Sequence, residues 1–222
     1  MHKIKGIYSR SLYIFRNEGI LSLLRLAITF VIRGLFEHEH YYVYEHDIRK
    51  VYQFPETEWT PRIDHLNFHI VSTNEQADEL VEKGYDDFRQ YSINGKYKLD
   101  RGAIAFCTYI KHELASIGWA ALTEEAKKTI DNLPYRVNFS NKESCTGSSM
   151  TNPKCRQMGL MVHNLFKRWI YLRDLGIVTD RATVAKSNYI SRKGSEKLAP
   201  KITEARYVRI LCWRYWKESP LV

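Results

Sequence analysis

Cysteine and uninterrupted apolar runs are both scarce in this sequence. Only four of the 222 residues are cysteines, and no two of them form a C-x-x-C pair. Small disulfide scaffolds carry roughly 8–10% cysteine or more, so that class is excluded and a reducing, cytoplasmic compartment is expected. The first residues also lack the apolar core and cleavage site of a secretory signal, so no signal peptide is expected.

Acidic residues are rare in the last third of the chain, although the rest is well supplied with them. Residues 135–222 contain 17 basic and 6 acidic residues, a net charge of +11, whereas residues 51–134 contain 9 and 14, a net charge of −5. A basic half of this kind indicates a phosphate-bearing partner: a nucleotide cofactor, a nucleic acid or an anionic membrane.

Polar residues occupy only one side of the segment 18–36. They recur every three or four positions, at Glu18, Ser22, Arg25, Thr29 and Arg33. On a helix this spacing makes a narrow polar stripe beside a broad apolar face, which predicts an amphipathic helix. Its charges argue against a membrane-spanning helix, which needs about 20 mostly apolar residues. The apolar face is expected to pack on the rest of the protein, on a second copy in a homodimer, or against a membrane surface as a peripheral contact.

Histidines cluster after this segment without the spacing of a metal site. Residues 38–48 alternate as a strand that places His38, His40 and His46 on one face, and His65 and His69 repeat the arrangement. No carboxylate–histidine spacing accompanies them, so no metal is expected.

The remaining patterns alternate between strands and helices. We predict helices over 73–85, 123–131, 161–175 and 188–199, a hairpin over 101–122, and strands over 135–139, 143–151, 181–186 and 204–213. In the helix 161–175, an apolar arc through Trp169 should face the core, and His163 and Asn164 should lie on the opposite side. With 44% hydrophobic residues the chain can bury a core. An α/β or α+β domain with a mixed sheet is expected over 41–222, after a helical appendage over 1–40.

Two motifs in the basic half resemble those of a known family. The stretch TNPKCRQMGLM, residues 151–161, resembles the acyl-CoA pyrophosphate loop of the GNAT acyltransferase superfamily, in which Arg156 and Gly159 match the family pattern. Downstream, NYISRKGSEKLAPK resembles the helix that follows in this family, with Asn188 in register. Met161 departs from the loop pattern, which ends on a small residue. The resemblance covers about residues 102–213.

The resemblance implies a fold, a cofactor and a binding mode. The sheet is expected to be mixed and splayed, with helices on its faces and acetyl-CoA or another acyl-CoA lying between two central strands. The strand 143–151 would bind the pantetheine through its backbone, with Met150 and Thr151 near the loop and Asn188 beside the pantetheine or thioester. The amides around Gln157, Met158, Gly159, Leu160 and Met161 would hold the pyrophosphate, as loop and helix N-terminal amides can.

The family reaction, implied in the same way, is direct attack of an amine on the thioester with a base removing the proton. Glu143, at the start of the strand beside the cofactor, is the first candidate base, and Glu113, at the hairpin turn, is the second. The family's usual tyrosine acid would fall at Ser195, which leaves the general acid unassigned. Cys145 has no paired histidine and is expected to be a core residue rather than a nucleophile.

Three functions remain open from the sequence. An acyl-CoA-dependent N-acyltransferase, most simply an N-acetyltransferase, acting on a small amine or an amino acid is favoured. A catalytically silent GNAT-like binding protein is the alternative, since Met161 and Ser195 depart from the pattern. A nucleic-acid-binding module is disfavoured, because stacking on bases needs exposed aromatic side chains and Trp169 falls on the core arc.

Overall fold

The computed structural model describes residues 11, 15, 19–29 and 35–221. Residues 19–29 form helix α1. The strands are β1 (Phe36–Asp47), β2 (Leu66–Val71), β3 (Ile104–Ile110), β4 (Glu113–Ala121), β5 (Glu143–Thr151), β6 (Thr179–Ala185), β7 (Lys201–Ile210) and β8 (Trp213–Pro220). The other helices are α2 (Asn74–Glu82), α3 (Gly95–Asp100), α4 (Glu124–Ile130), α5 (Leu160–Asp174) and α6 (Tyr189–Ser195).

All eight strands form one sheet in the order β2-β3-β4-β5-β6-β1-β7-β8. Neighbouring strands are antiparallel except β5 and β6, which run parallel and are joined by the crossover helix α5. The predicted mixed sheet flanked by helices is confirmed. The sequence predicted the strand over 38–48 but not its place in the sheet. In the structure this strand, β1, pairs with β6 on one side and with β7 on the other.

Each face of the sheet has its own core. On one face α2, α3 and α4 contribute Leu80, Leu99 and Ile130 to a cluster that includes Trp119 of β4. On the other face α5 contributes Phe166 and Trp169, with the residues that follow β1 covering them. Because both faces are covered, the central strands β3 and β4 are almost entirely buried, as expected for strands between two helical layers.

Several helix boundaries are set by capping residues that can be recognised in the sequence. The hydroxyl oxygens of Thr73 and Thr123 accept hydrogen bonds from Gln76 N and Ala126 N, and α2 and α4 begin directly after them. Gly84, with φ of +85°, follows α2 where the stop was predicted. The predicted hairpin over 101–122 is confirmed as β3 and β4.

Three predictions of local structure are wrong. Residues 135–138 form no strand, because both edges of β5 are already occupied by β4 and β6 and no open edge remains for them. His163 and Asn164 are buried instead of facing outward, since residues 54–59 and β3 pack on the side of α5 that was expected to be open. The strand predicted to end the sheet at 213 is two strands, β7 and β8, which turn at Leu211 and Cys212.

The predicted amphipathic helix is only partly within the described residues. Residues 19–29 are helical, whereas residues 18 and 30–34 lie outside the described part of the chain. Five apolar side chains of α1 are exposed: Ile20, Leu21, Leu24, Leu26 and Ile28. No described helix is long and apolar enough to cross a membrane. The expected boundary at residue 40 falls inside β1, which begins at Phe36.

Candidate acyl-CoA cleft

The sheet opens between β5 and β6. The two parallel strands pair only at Glu143–Thr179, Ser144–Asp180 and Cys145–Arg181, and from Thr146 onward they diverge. The cleft between them has a volume of about 240 Å³ and is lined by both strands, by α5 and by α6. The edge of β5 that faces β6 therefore keeps its backbone groups free of strand pairing beyond Cys145, as a strand edge that binds an extended ligand requires.

A β-bulge lies in the wall of this cleft. Trp119 pairs with Gly147 and Ile117 pairs with Met150, so two residues of β5, Ser148 and Ser149, stand opposite Gly118 alone. Ser148 has φ of +48° and its hydroxyl donates to Ile130 O at 2.8 Å. A bulge of this kind bends a strand and redirects its groups, which is why bulges are common beside binding sites.

The loop that follows β5 exposes its backbone. It turns through a short 3-10 helix capped by Asn152, whose side chain accepts from Lys154 N, and then reaches α5 through Gln157 and Gly159, with φ of +66° and +77°. Within the described residues, the amides of Gln157, Met158 and Gly159 donate no hydrogen bond to the backbone. Together with the first turn of α5, these amides form a set of unpaired donors at the positive end of a helix dipole.

Cationic side chains surround these donors. A second cavity of about 470 Å³ is lined by the loop residues Gln157, Met158 and Gly159, by residues 58–63 and by Lys197. Arg62 and Lys197 line this cavity and Arg156 is exposed at its loop, whereas Glu58 is its one acidic lining residue. The arrangement suits a ligand with more than one phosphate, because separated cations and directed amides act on different oxygens.

The predicted cofactor residues fall into three groups in the structure. Met161 and Asn188 line the cleft, and Asn188 also caps α6 by accepting from Ser191 N. Gln157, Met158 and Gly159 line the second cavity, and Arg156 is exposed in the same loop. Leu160 is buried in the core, and Met150 and Thr151 pair with β4, where Met150 O and Thr151 Oγ1 lie 3.2 and 3.5 Å from Ser116 Oγ.

A buried cation that the sequence did not reveal lies in the wall of the cleft. The guanidinium of Arg168 donates to Trp119 O at 3.3 Å and to Ser149 Oγ at 3.2 Å, and its Nε has no partner in the described part of the chain. No carboxylate of the described residues lies within salt-bridge distance of it. Burial lowers the pKa of Arg168 to about 10, although Asp180 opposes this effect. An unpaired buried cation beside a cleft can bind an anion or a polarised oxygen.

A hydrogen-bonded network beneath the cleft holds β5 and β6 together where they still pair. The buried Asp180 carboxylate accepts from Ser144 Oγ, Thr146 Oγ1 and Trp169 Nε1. Burial raises the pKa of Asp180, and the nearby His46 opposes this shift. His46 bonds Ser195 O through Nε2 at 2.8 Å, and burial lowers its pKa. These groups support the strands rather than face the cleft, apart from Thr146 and Ser195.

The two predicted bases lie at opposite ends of the cleft strands. Glu143 accepts from Arg181 Nε and from Asn138 N, both at 2.8 Å, and lines a separate surface depression with them. Glu113 is exposed at the hairpin turn, near Cys155, whose pKa is raised by burial and by Glu113. The structure therefore does not bring Glu143 and Glu113 together.

Asp131, which the sequence did not single out, is a carboxylate beside the two cleft strands, beyond the residues at which they pair. Its side chain accepts from Thr183 Oγ1 of β6 and from Leu133 N, and a Cβ on Gly147 of β5 would lie 3.9 Å from its own Cβ. Both Gly147 and Thr183 line the cleft. Asp131 thus bonds to β6 through its carboxylate and lies beside Gly147 of β5.

Ser195, where the resemblance placed the usual tyrosine acid, lines the cleft and is buried. Tyr44 reaches the same helix from β1, but its hydroxyl donates to Glu196 Oε1 at 3.0 Å and burial raises its pKa. Cys145 is buried against Tyr135, and burial raises the pKa of its thiol well above the usual range. A thiol in that state is a poor nucleophile.

The histidines do not assemble a metal site. His38 and His40 lie together near the outer end of β1, with ring centroids 5.4 Å apart, whereas His46 is buried beside Trp169. Among the described residues, no group of three or more histidine, cysteine or carboxylate side chains is arranged to hold a metal ion.

Comparison with known proteins finds similarity to solved structures only. No family model matches the sequence, and no curated protein matches it. A GCN5-related N-acetyltransferase-like protein from Streptococcus suis is 17% identical with a TM-score of 0.46, over 86% of this chain and 69% of that one. Several of the solved structures that match this chain are described as GNAT-family acetyltransferases.

Two further structures show the same range of similarity. A GNAT-family acetyltransferase from Colwellia psychrerythraea is 13% identical with a TM-score of 0.46, over 78% of this chain and 55% of that one. A conserved protein of unknown function from Staphylococcus epidermidis is 11% identical with a TM-score of 0.47, over 82% and 65%. The chain spans 55–65% of the length of the first five solved structures that it matches.

Proposed function

We propose that this protein is an acyl-CoA-dependent N-acyltransferase that acts on the amine of a small molecule or an amino acid, with acetyl-CoA or another acyl-CoA as donor. One observation carries the proposal: parallel strands β5 and β6 separate after three residue pairs, and the loop that leaves β5 leads to the unpaired amides that begin α5. The sequence motif around Arg156 and Gly159 supports the same reading.

The phosphates are assigned to the loop and the second cavity. The amides from Gln157 to Met161 supply directed donors, and Arg62, Arg156 and Lys197 supply positive charge. Gly159 keeps a side chain away from the backbone at the point of closest approach, and its φ of +77° favours glycine there. The +11 charge of residues 135–222 favours the same polyanionic ligand.

The pantetheine is assigned to the unpaired edge of β5 and the acyl group to the cleft near the bulge. Backbone groups beyond Cys145 would bind the amides of the pantetheine, with Asn188 across from them. Arg168 would stabilise the negative charge that develops on the thioester oxygen when the amine attacks. The amine forms a bond to the carbonyl carbon and loses a proton to a base, and the C–S bond breaks to release the CoA thiolate.

Calorimetric titration with CoA tests the cofactor assignment. We expect saturable binding by the unchanged protein, and Gly159→Glu should weaken it more than about a hundredfold, because bulk and negative charge enter the phosphate site. Gly102→Glu is the matched control, since Gly102 also has positive φ, with open space around it and no place in the cleft. Arg156→Ala should weaken binding by about 10–150-fold, the loss of one charge-assisted hydrogen bond.

The other functions give different results in the same experiments. A silent binding protein would bind CoA and release none from acetyl-CoA with any amine acceptor. A nucleic-acid module would bind oligonucleotides with affinity that falls steeply as salt rises. Absence of saturable CoA binding by the unchanged, folded protein would overturn the proposal.

A further inference from the structure

One end of the sheet carries an exposed apolar surface that the cleft does not use. Phe36, Ile210 and Trp213 pair directly across β1, β7 and β8, so their side chains share one face. Their exposed fractions are 52%, 47% and 56%, and Leu211 in the turn beside them is 63% exposed. With Leu35, whose carbonyl accepts from Leu211 N at 2.8 Å, these residues form what we name the apolar tip.

Polarity rises in steps away from the apolar tip. Two positions along the strands, the same face carries His38, Val208 and Tyr215, and two positions further it carries His40, Arg206 and Lys217. Each step is about 6.7 Å at the usual rise of a strand. Apolar, aromatic and basic rows thus follow one another over about 13 Å. This order matches the depth profile of a bilayer surface, where acyl chains, the amphipathic interface and lipid phosphates succeed one another.

Helix α1 precedes the apolar tip in the sequence and, like the tip, exposes apolar side chains. Its five exposed apolar side chains, described above, lie within residues 19–29, and the one charged residue in that range is Arg25. Residue 35, at the tip, is again helical. A helix of this composition can lie in the surface plane of a bilayer beside the tip, and neither element is long enough to span one.

Charge and edge chemistry favour a lipid surface over a second copy of the chain. Residues 206–217 contain four basic residues and no acidic one, which suits an anionic surface and repels an identical strand. The edge strand β8 carries Arg214, Lys217 and Pro220, the kinds of residue by which natural edge strands avoid pairing with one another.

We propose that the apolar tip and α1 dock this protein onto an anionic lipid bilayer, with the row of Phe36, Ile210 and Trp213 at the level of the acyl chains and Arg206 and Lys217 against the lipid phosphates. This attachment is independent of the proposed acyltransferase activity, since the cleft residues take no part in it. It places the chain on a membrane surface without crossing it.

Co-sedimentation of the full chain with vesicles tests the docking. We expect binding to vesicles of phosphatidylcholine mixed with phosphatidylglycerol, and weak binding to phosphatidylcholine alone. Leu211→Ser with Trp213→Ser should lower the partition coefficient at least about tenfold, because two large apolar groups no longer enter the interface. Arg206→Gln with Lys217→Gln should lower it about tenfold on anionic vesicles only. Ile93→Ser, at an exposed apolar residue far along the chain, is the matched control and should change nothing.

A fluorophore on Cys212 gives a second readout at the tip itself. Cys212 is exposed between Leu211 and Trp213, and Cys155→Ser removes the other cysteine that is not buried. Anionic vesicles should shift the emission of the label to shorter wavelength, and the Gln pair should need about tenfold more anionic lipid for the same shift. Equal sedimentation of all variants, or a label that does not respond, would overturn the proposal. So would light scattering that shows a dimer for the unchanged chain and a monomer for the Ser pair, because the tip would then be an interface between copies.

Discussion

The position and the unpaired charge of Arg168 are set by the residues that pack around it. Its guanidinium lies close to β4 beside Gly118, and a Cβ on Gly118 would lie 2.7 Å from Arg168 Cζ. Burying a charge without a counter-ion is unfavourable, so the unpaired guanidinium of Arg168 lowers the stability of the fold. Binding of a polarised oxygen would account for that loss.

Arg168→Met is therefore expected to separate acyl recognition from CoA binding. CoA without an acyl group should bind the variant as before, and the protein should be no less stable, because methionine replaces an unpaired buried charge. The thioester carbonyl stretch of bound acetyl-CoA, measured by infrared difference spectroscopy, should move from a lowered frequency towards its free value. Gly118→Ala should give the same shift by displacing the guanidinium. A carbonyl stretch identical in all three proteins would contradict the assignment.

The base is a choice among three carboxylates, and their surroundings differ. Asp131 lies beside β5 and β6, Glu143 is held by Arg181 and Asn138 N, and Glu113 stands at the hairpin turn. We expect Asp131→Asn to lower CoA release from acetyl-CoA with mixed amino acids as acceptors by about 10²–10⁴-fold, the usual contribution of a general base. Glu113→Gln should have little effect. If Glu143→Gln alone lowers turnover, the sequence-based choice is right and Asp131 is structural.

The predictable part of the site is the part that is contiguous in sequence. Gly159, Arg156 and Asn188 belong to local motifs, and the structure places them at the loop and the cleft. The positions of Arg168 and Asp131 beside the cleft could not be predicted. They depend on contacts with Trp119, Ser149 and Thr183, which are distant in sequence. The pattern of α5 failed for the same reason: His163 and Asn164 are polar, but segments from elsewhere in the chain cover them.

Secondary-structure elements were predictable where their own sequence carries the signal. Threonine caps set the starts of α2 and α4, and alternation over 38–48 predicted the strand that is β1. The place of β1 between β6 and β7 was not predictable, because strand order depends on long-range pairing rather than on periodicity. Helix α3 was missed because it is six residues long and begins at Gly95, a residue that usually ends helices.

Gly95 is required by packing rather than by backbone freedom. A Cβ at this position would lie 2.7 Å from the Cα and O of Arg89, which are backbone atoms that cannot move away cheaply. Gly95→Ala is thus expected to lower the free energy of unfolding by about 1–3 kcal/mol, although alanine favours helices. Lys96→Ala, exposed on the same helix, should change it by less than about 0.5 kcal/mol. Urea unfolding of both variants checks this, and a Gly95→Ala protein as stable as the unchanged one would show that the Arg89 backbone yields.

The two proposed functions are assigned to different parts of the sheet. The cleft lies between the central strands β5 and β6, and the apolar tip lies at one end of β1, β7 and β8. Residues 48–63, which follow the other end of β1, cover α5: the Trp59 ring stacks on Phe166, and Lys167 pairs with Glu56 at 3.0 Å. Residues 58–63 of this segment also line the second cavity, so the attachment of the segment to α5 affects both stability and the shape of that cavity.

His163 makes that attachment sensitive to acid. It is buried between Trp59 and Phe68, and burial, with a smaller effect of Lys167, lowers its pKa from 6.5 to about 4. The unfolded chain therefore takes up a proton at this residue first as pH falls from 6.5 to 4, and folding loses stability across that window, by about 3 kcal/mol at most. Well above pH 6.5 His163 is neutral in both states and the effect vanishes. His163→Leu should lack this part of the acid dependence when urea unfolding is measured at several pH values across the window. If both proteins lose the same stability between neutral pH and the lower limit, His163 stays accessible to protons and residues 54–59 do not shield it.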